Sequence, residues 1–202
     1  MTVLYPVICP VPRALADLPL DRRQAALSDC SREPVVLSAQ KSGLPPPCVF
    51  RKDDRGAPVP EQGVWWSVSH KPDYVAGVVS AAPIGIDVEK IAPRSEALIP
   101  KVVSPAEAAL FSQDRWTVFF RCWTAKEATL KSRGAGIADL DRCRIVSVFS
   151  DVRVAVCFKD AALFVEQCFF DGHVASVAGS ENQPVEWTVS GGRKAPVRLP
   201  VL

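Results

Sequence analysis

Three observations in the sequence predict an α+β protein. Residues 64–69, 75–80 and 84–89 are short β-branched runs joined by Pro-containing connections. A helical pattern over 117–133 ends at Gly134. Before it, Ser104-Pro105-Ala106-Glu107 combines an N-cap residue, a proline at the first helical position and a glutamate two residues further on. Residues 144–149, 152–158, 163–169 and 174–178 then read as an antiparallel meander, with turns at 150–151 and 171–172. Each half thus has a helical part and a β part of similar size. No clear internal repeat is visible, so element order alone leaves two similar α+β lobes open.

Taken in order, residues 3–11 read as a first strand and 15–28 as a short helix with Asp21 near its cap. Residues 35–43 form a second short element, helical or mixed. Residues 44–60 are a Pro-rich loop with one hydrophobic beat at Val49-Phe50 and a polar turn over 51–58. In the run 84–89, strand alternation puts Ile84, Ile86 and Val88 on one face and Gly85, Asp87 and Glu89 on the other. The apolar set belongs to the core. The opposite face then presents two carboxylates about 7 Å apart along the strand, and Gly85 leaves room for a ligand or a close backbone. Residues 92–97 read as a linker dividing the chain into lobes 1–91 and 92–189. The helix that starts at Ser104 is expected to run to about residue 115, and 135–142 to be a loop. Beyond residue 179 only 185–189 reads as ordered, and 190–202 as a loose tail.

Composition narrows the function classes. A chain of 202 residues, 48% hydrophobic and 23% charged, can bury a substantial core. A net charge of +2 does not mark a nucleic-acid binder. Residues 1–10 are apolar but brief, Pro-interrupted and without a basic stretch, and no run is long enough to span a bilayer. The expectation is a cytoplasmic protein with no membrane partner. Seven cysteines without a CxxC pair and only two histidines favour reduced, buried thiols over a disulfide scaffold or a zinc site.

The chemistry concentrates on Trp123-Thr124-Ala125-Lys126-Glu127-Ala128-Thr129-Leu130-Lys131. On a wheel of 3.6 residues per turn, Phe120, Trp123, Glu127, Leu130 and Lys131 share one side. A carboxylate on an apolar stripe is costly unless a cation meets it. The plain explanation is an i,i+4 salt bridge from Glu127 to Lys131 on a packed helix. Asp87, Glu89 and Glu127 together supply oxygen-only donors, which suit a hard divalent cation, Mg²⁺ before Ca²⁺. A solvated strand face accounts for Asp87 and Glu89 equally well. Ser69-His70 closes a strand before a Pro turn, where a histidine can hold an anion or be merely structural.

Three segments in order and spacing carry a resemblance: Trp66-Ser67-Val68-Ser69-His70 with Ala76 after it, Ile84-Gly85-Ile86-Asp87-Val88-Glu89, and Phe120-Arg121-Cys122-Trp123-Thr124-Ala125-Lys126-Glu127-Ala128-Thr129-Leu130-Lys131. Together they resemble the 4′-phosphopantetheinyl transferase superfamily, and the chain length resembles its surfactin-synthetase-type branch. The resemblance implies two similar α+β lobes related by a pseudo-twofold, and a monomer. It implies transfer of the phosphopantetheine arm of coenzyme A to a serine of an apo carrier protein, acyl or peptidyl, releasing adenosine 3′,5′-bisphosphate. By position, Asp87, Glu89 and Glu127 look like ligands for Mg²⁺, with Mn²⁺ as a substitute. Glu127 also looks like the group that takes the serine proton. Lys126 and Lys131 look like phosphate contacts, with Lys131, Asp87 and Glu127 at the reacting centre, and Ser69 and His70 look like coenzyme A contacts. Residues 131–136 resemble the glycine-containing segment that follows the catalytic helix. Where the family often has Gly-Lys-Pro, this chain has Gly56-Ala57-Pro58, so Lys52, Arg51 or Arg55 are the candidates to compensate; Arg32 is the candidate for an N-terminal basic contact. A carrier-docking face is expected around 101–111 and the start of the 117–133 helix, although Val102, Val103, Leu110 and Phe111 also suit a core. The same carboxylates and lysines would also serve a Mg²⁺-dependent nucleotide hydrolase or ligase, but no GxxxxGK[ST] or GxGxxG loop is present. A coenzyme A or carrier-protein binding module without catalysis is the third reading; Ala57 favours it and the intact carboxylate set opposes it.

Overall fold

A computed structural model describes residues 2–15, 17–179 and 183–191. It is an α+β structure with two sheets. After β1 (Val7–Pro10) come α1 (Leu20–Cys30) and α2 (Arg32–Ser42), then β2 (Trp65–His70), β3 (Tyr74–Ser80) and β4 (Ile84–Lys90). The second half repeats the order of helices before strands: α3 (Ile99–Val102), α4 (Pro105–Ala108) and α5 (Arg115–Ser132), then β5 (Cys143–Ser150), β6 (Arg153–Phe158), β7 (Ala161–Phe170) and β8 (His173–Gly179), with a short β9 (Thr188–Val189). The expected strands are present, and the element over 35–43 is part of the helix α2. A 3-10 helix (Ile137–Arg142) occupies most of the stretch expected as a loop.

The four-stranded sheet has the order β2-β3-β1-β9 and the five-stranded sheet the order β4-β8-β7-β6-β5. All pairings are antiparallel except β1 with β9. β4 therefore leaves β3 after the turn at 81–83 and pairs with β8 in the other sheet, Asp87 opposite Ser176. β9 returns to β1, so strands cross in both directions over the boundary expected at 91/92. Residues 192–202, most of the expected tail, lie outside the described residues.

α4 is one turn long, not the helix to residue 115 that its capping box suggested. Ser104 and Glu107 do form the box, through Glu107 N–H to Ser104 Oγ and Ser104 N–H to Glu107 Oε2. The chain then turns because Asp114 caps a new helix, its Oδ1 accepting from the Trp116 and Thr117 N–H groups. α5 is buried on nearly every face, including Phe119, Phe120, Cys122, Ala125, Ala128 and Leu130. A helix covered all round sits inside the molecule; α5 packs on β4 and β8 and reaches β5. Ile84, Ile86 and Val88 enter the core beside Tyr74, Val78 and Val177, as alternation required.

Gly85 sets the approach of α5 to β4. A Cβ there would lie 1.9 Å from Ala128 O and 2.6 Å from Ser132 N, so it is helix backbone that fills the space beside Gly85. Gly85→Ala is expected to cost at least about 2 kcal/mol, because overpacking against backbone cannot be relieved by a rotamer change. Urea denaturation measures it. A loss under about 0.5 kcal/mol, the range of ordinary surface substitutions, would contradict so close an approach.

Candidate active site

β2 and β4 are edge strands of different sheets, yet they lie side by side. Two serine hydroxyls join them. Ser67 Oγ accepts from Ile86 N–H at 3.1 Å, and Ser69 Oγ accepts from Val88 N–H at 3.3 Å. Ser69 Oγ also donates to Asp87 Oδ1 at 2.8 Å. Both serines are buried. They satisfy N–H groups that would otherwise be orphaned at a sheet edge, and one of them fixes the Asp87 carboxylate.

Above this seam opens a cleft of about 660 Å³. Its walls are the turn at 52–58, the end of β2 with Ser69, His70 and Lys71, and the α5 face carrying Trp123, Glu127 and Lys131. Asp87 also lines it, as does the glycine-containing segment 134–137. Asp53 shapes the turn, accepting from Arg55 N–H at 3.0 Å and Ala57 N–H at 2.8 Å.

Lys131 does not pair with Glu127, as the i,i+4 spacing allowed. Its Nζ donates to Asp87 Oδ1 at 2.8 Å and to Ile86 O at 2.9 Å, tying α5 to β4. The other Asp87 oxygen, Oδ2, and Glu127 Oε1 are buried without a hydrogen-bond partner among the described residues. Burial, reinforced by the Asp87 charge, pushes the Glu127 carboxyl above its ordinary value, with Lys131 and Lys71 pulling the other way. Burial and the neighbouring Lys52, Lys131 and Lys71 hold His70 below the usual histidine range. Several cations thus share a pocket with a neutral imidazole, an arrangement that suits an anionic ligand.

The cleft brings together Ser69, His70, Asp87, Glu127 and Lys131, with Lys52 and Arg55 from the turn beside Ala57. Other expected residues lie elsewhere. Lys126 is buried away from the cleft: its Nζ is 2.7 Å from Glu107 Oε1 and donates to Val102 O at 2.6 Å. It is a buried structural ion pair, so the phosphate contact expected of it has to be corrected. Glu107 is held low enough to stay charged: burial opposes ionisation, but Lys126 and the Ser104 and Ile145 N–H groups outweigh it. Glu89 points to Lys71, Nζ to Oε1 2.7 Å, and is not among the cleft walls. Arg32 is exposed, 3.1 Å from Asp29 Oδ1. Arg51 is exposed and does not line the cleft. The residue that motif reasoning passed over is Lys71, although its place directly after His70 marked it. In the expected docking face, Val102 and Val103 are core, while Leu110 is exposed.

Asp87 and Glu127 fit a hard cation: each is an oxygen donor with a buried oxygen left unpartnered. Among the described residues no group of three His, Cys, Asp or Glu converges as a metal cluster. A site of one or two carboxylates completed by water and substrate phosphate is the usual Mg²⁺ arrangement.

Two outcomes follow. The folded chain holds the Glu127 proton more tightly than the unfolded chain does. Ionised Glu127 therefore subtracts stability above its folded-state pKa, and the deficit vanishes as pH falls below the ordinary value of 4.5. Glu127→Gln in EDTA is expected to raise the melting temperature at pH 7, with the gain shrinking toward pH 4; a gain independent of pH would contradict this. Lys126→Ala is expected to cost about 3–5 kcal/mol, because it leaves Glu107 buried and unpaired. Denaturant unfolding reads this directly, and a loss under about 1 kcal/mol, as for an exposed pair, would show that the pair is not structural.

Comparison with known proteins places the sequence among its relatives. The family described as the 4'-phosphopantetheinyl transferase superfamily matches residues 83–180. The chain is 33% identical over 144 residues to 4'-phosphopantetheinyl transferase AcpT of Salmonella typhi, covering 68% of each chain. It is 36% identical over 96 residues to 4'-phosphopantetheinyl transferase psf-1 of Bacillus pumilus, covering 45% of this chain and 41% of that one. It is 34% identical over 108 residues to 4'-phosphopantetheinyl transferase HetI of Nostoc sp., covering 48% and 46%. Against these last two relatives the match spans somewhat under half of their length. The extent of the AcpT match nonetheless shows the family: the chain belongs to the 4′-phosphopantetheinyl transferase superfamily.

Proposed function

We propose that this chain transfers the 4′-phosphopantetheine arm of coenzyme A to a serine of an apo carrier protein, releasing adenosine 3′,5′-bisphosphate. The observation that carries the reading is the cleft in which Asp87 and Glu127 each leave a buried oxygen free beside Lys131 and the His70 cation cluster. In this reading the serine oxygen bonds to the pantetheine-side phosphorus. The bond from that phosphorus to the bridging oxygen breaks, and the bridging electron pair leaves with the nucleotide. Glu127, on the cleft wall with Asp87 and Lys131, takes the serine proton. Lys131, fixed by Asp87 and Ile86 O, places its charge against the pyrophosphate. His70, Lys52 and Lys71 receive the nucleotide-side phosphate; its arrival favours the protonated imidazole. Lys52 and Arg55 supply the positive charge that Ala57 does not.

Asp87 and Glu127 would hold Mg²⁺, with Mn²⁺ as a substitute. Such an ion would supply positive charge to offset that of the pyrophosphate. The carrier is the macromolecular partner. The expectations of a monomer, of a cytoplasmic location and of no nucleic-acid partner belong to this reading. Among the described residues no helix is long and apolar enough to cross a membrane.

The test is the intact mass of an apo carrier protein after incubation with the chain, coenzyme A and Mg²⁺, with an EDTA control. A gain of one phosphopantetheine, lost with EDTA and with Asp87→Ala or Glu127→Ala, is the expected result. Transfer at near wild-type rate by either variant would overturn the site assignment. Bound coenzyme A without mass gain on acyl and peptidyl carriers alike would favour a binding module.

A further inference from the structure

A polar cluster is buried between α5 and the five-stranded sheet, behind the cleft walls. Arg121, Thr124 and Ser176 are 0% exposed and Gln167 is 2% exposed. Arg121 Nε donates to Gln167 Oε1 at 2.9 Å, and Gln167 Nε2 is 3.0 Å from Ser176 Oγ. Ser176 Oγ is 2.7 Å from Thr124 Oγ1, which donates to Phe120 O at 2.8 Å. The direction of the chain follows from its first member. A guanidinium only donates, so Gln167 offers it the carbonyl and turns its amide nitrogen to Ser176. Ser176 accepts that bond and keeps its own hydrogen for Thr124 Oγ1. Arg121 is itself held, donating to Gln113 Oε1 and to Ser150 O at 3.1 Å each.

Around this chain the contacts of α5 are apolar, with Ala125, Ala128, Val174 and Ala178 in one core. Apolar packing loses uniqueness before it loses stability, whereas a satisfied buried network specifies one arrangement. Thr124 and Lys131 lie about two turns apart on the same side of α5, with Glu127 between them along the axis. Both reach the sheet. Lys131 bonds to Asp87 on β4, and Thr124 meets Ser176, the residue opposite Asp87 on β8. The lysine has a long, flexible stem and can follow a turn of the helix. Threonine, branched at Cβ, cannot. The short contact is therefore the one that fixes the rotation.

We infer that the buried chain Arg121–Gln167–Ser176–Thr124 sets the rotation of α5, and with it the place of Glu127 against Asp87, so that these residues are positioning residues for the transfer. The inference rests on the transferase reading above. The cations assigned to the nucleotide-side phosphate, His70, Lys52 and Lys71, lie on or beside β2 and in the turn at 52–58. A slip of α5 leaves them in place and disturbs the reacting centre.

A matched pair of substitutions tests this. Thr129 is also 0% exposed, and its Oγ1 also donates to the carbonyl one turn back, Ala125 O at 2.8 Å, with no bond to the sheet among the described residues. Thr124→Val and Thr129→Val thus delete the same group from the same helix and differ in the link to Ser176. The readout is steady-state transfer to an apo acyl carrier protein by the full-length chain, at a temperature where melting curves show each variant folded. Thr124→Val is expected to lower kcat at least about tenfold, toward the hundredfold that a misplacement of about 1 Å can cost, with KM for coenzyme A within about twofold of wild type. Thr129→Val is expected to leave both unchanged. Thr124→Ser, which keeps the hydroxyl, is expected to restore kcat. Ser176→Ala is expected to match Thr124→Val, and the double change to lose no more than either. Equal losses in Thr124→Val and Thr129→Val, or additive losses in the double change, would overturn the inference. Crystal structures carry the test without turnover. In Thr124→Val, Glu127 is expected to shift by about 1 Å against Asp87. If the wild-type chain transfers nothing and Glu127 shifts, the transferase reading fails by itself. A Glu127 that stays in place removes the role of the buried chain, whatever the wild-type chain does.

Discussion

Among the described residues the two sheets meet edge to edge at β2 and β4 without a backbone ladder, and the rest of the site depends on how that edge is satisfied. Ser67 and Ser69 stand where the carbonyls of a partner strand would stand, and the Ile86 and Val88 N–H groups bond to their hydroxyls. A hydroxyl can accept and donate together. Ser69 uses both capacities, accepting from the strand and donating to Asp87. The join that closes the seam thus also orients the acid at the floor of the cleft. The fold and the chemistry share one pair of hydrogen bonds.

α5 completes the arrangement by carrying two lysines with opposite fates. Lys126 turns inward to Glu107, whose second oxygen is also engaged by the Ser104 N–H. That pair locks α4, α5 and the start of β5, because Glu107 Oε1 also accepts from Ile145 N–H. Lys131, five residues on, turns to the cleft and to Asp87. The first lysine satisfies a buried charge. The second leaves an Asp87 oxygen and a Glu127 oxygen free for a ligand, and a costly group kept unpaired in a packed interior is the mark of a site built for something else to complete.

Much of this was legible in the residues. Alternation in 84–89 placed Asp87 and Gly85 correctly, and the β-branched runs located the strands. The motif around Glu127 identified the helix. What was not legible depended on neighbours distant in sequence. Each residue of a helix turns the side chain by 100°, so Lys126 and Glu127 face different parts of the molecule. α5 is buried except for its first turn and the half-buried stripe Trp123, Glu127 and Lys131, so its hydrophobic pattern alone does not show which lysine faces the cleft. Glu107 was read only as a cap, so its second role, as counter-ion to Lys126, was hidden. The capping box was legible, but the early end of α4 was set by Asp114 starting a new helix. The Lys71–Glu89 pair spans the seam and left no trace in either strand alone.

The central claim is that the Asp87–Glu127 corner of the cleft is where cation and pyrophosphate meet. Crystals grown with coenzyme A and Mn²⁺, measured at the manganese absorption edge, test it most directly. The account predicts one anomalous peak touching Asp87 Oδ2 and Glu127 Oε1, with pyrophosphate oxygens completing its sphere and Lys131 against them. An anomalous peak elsewhere on the chain, or coenzyme A bound outside the cleft, would contradict it.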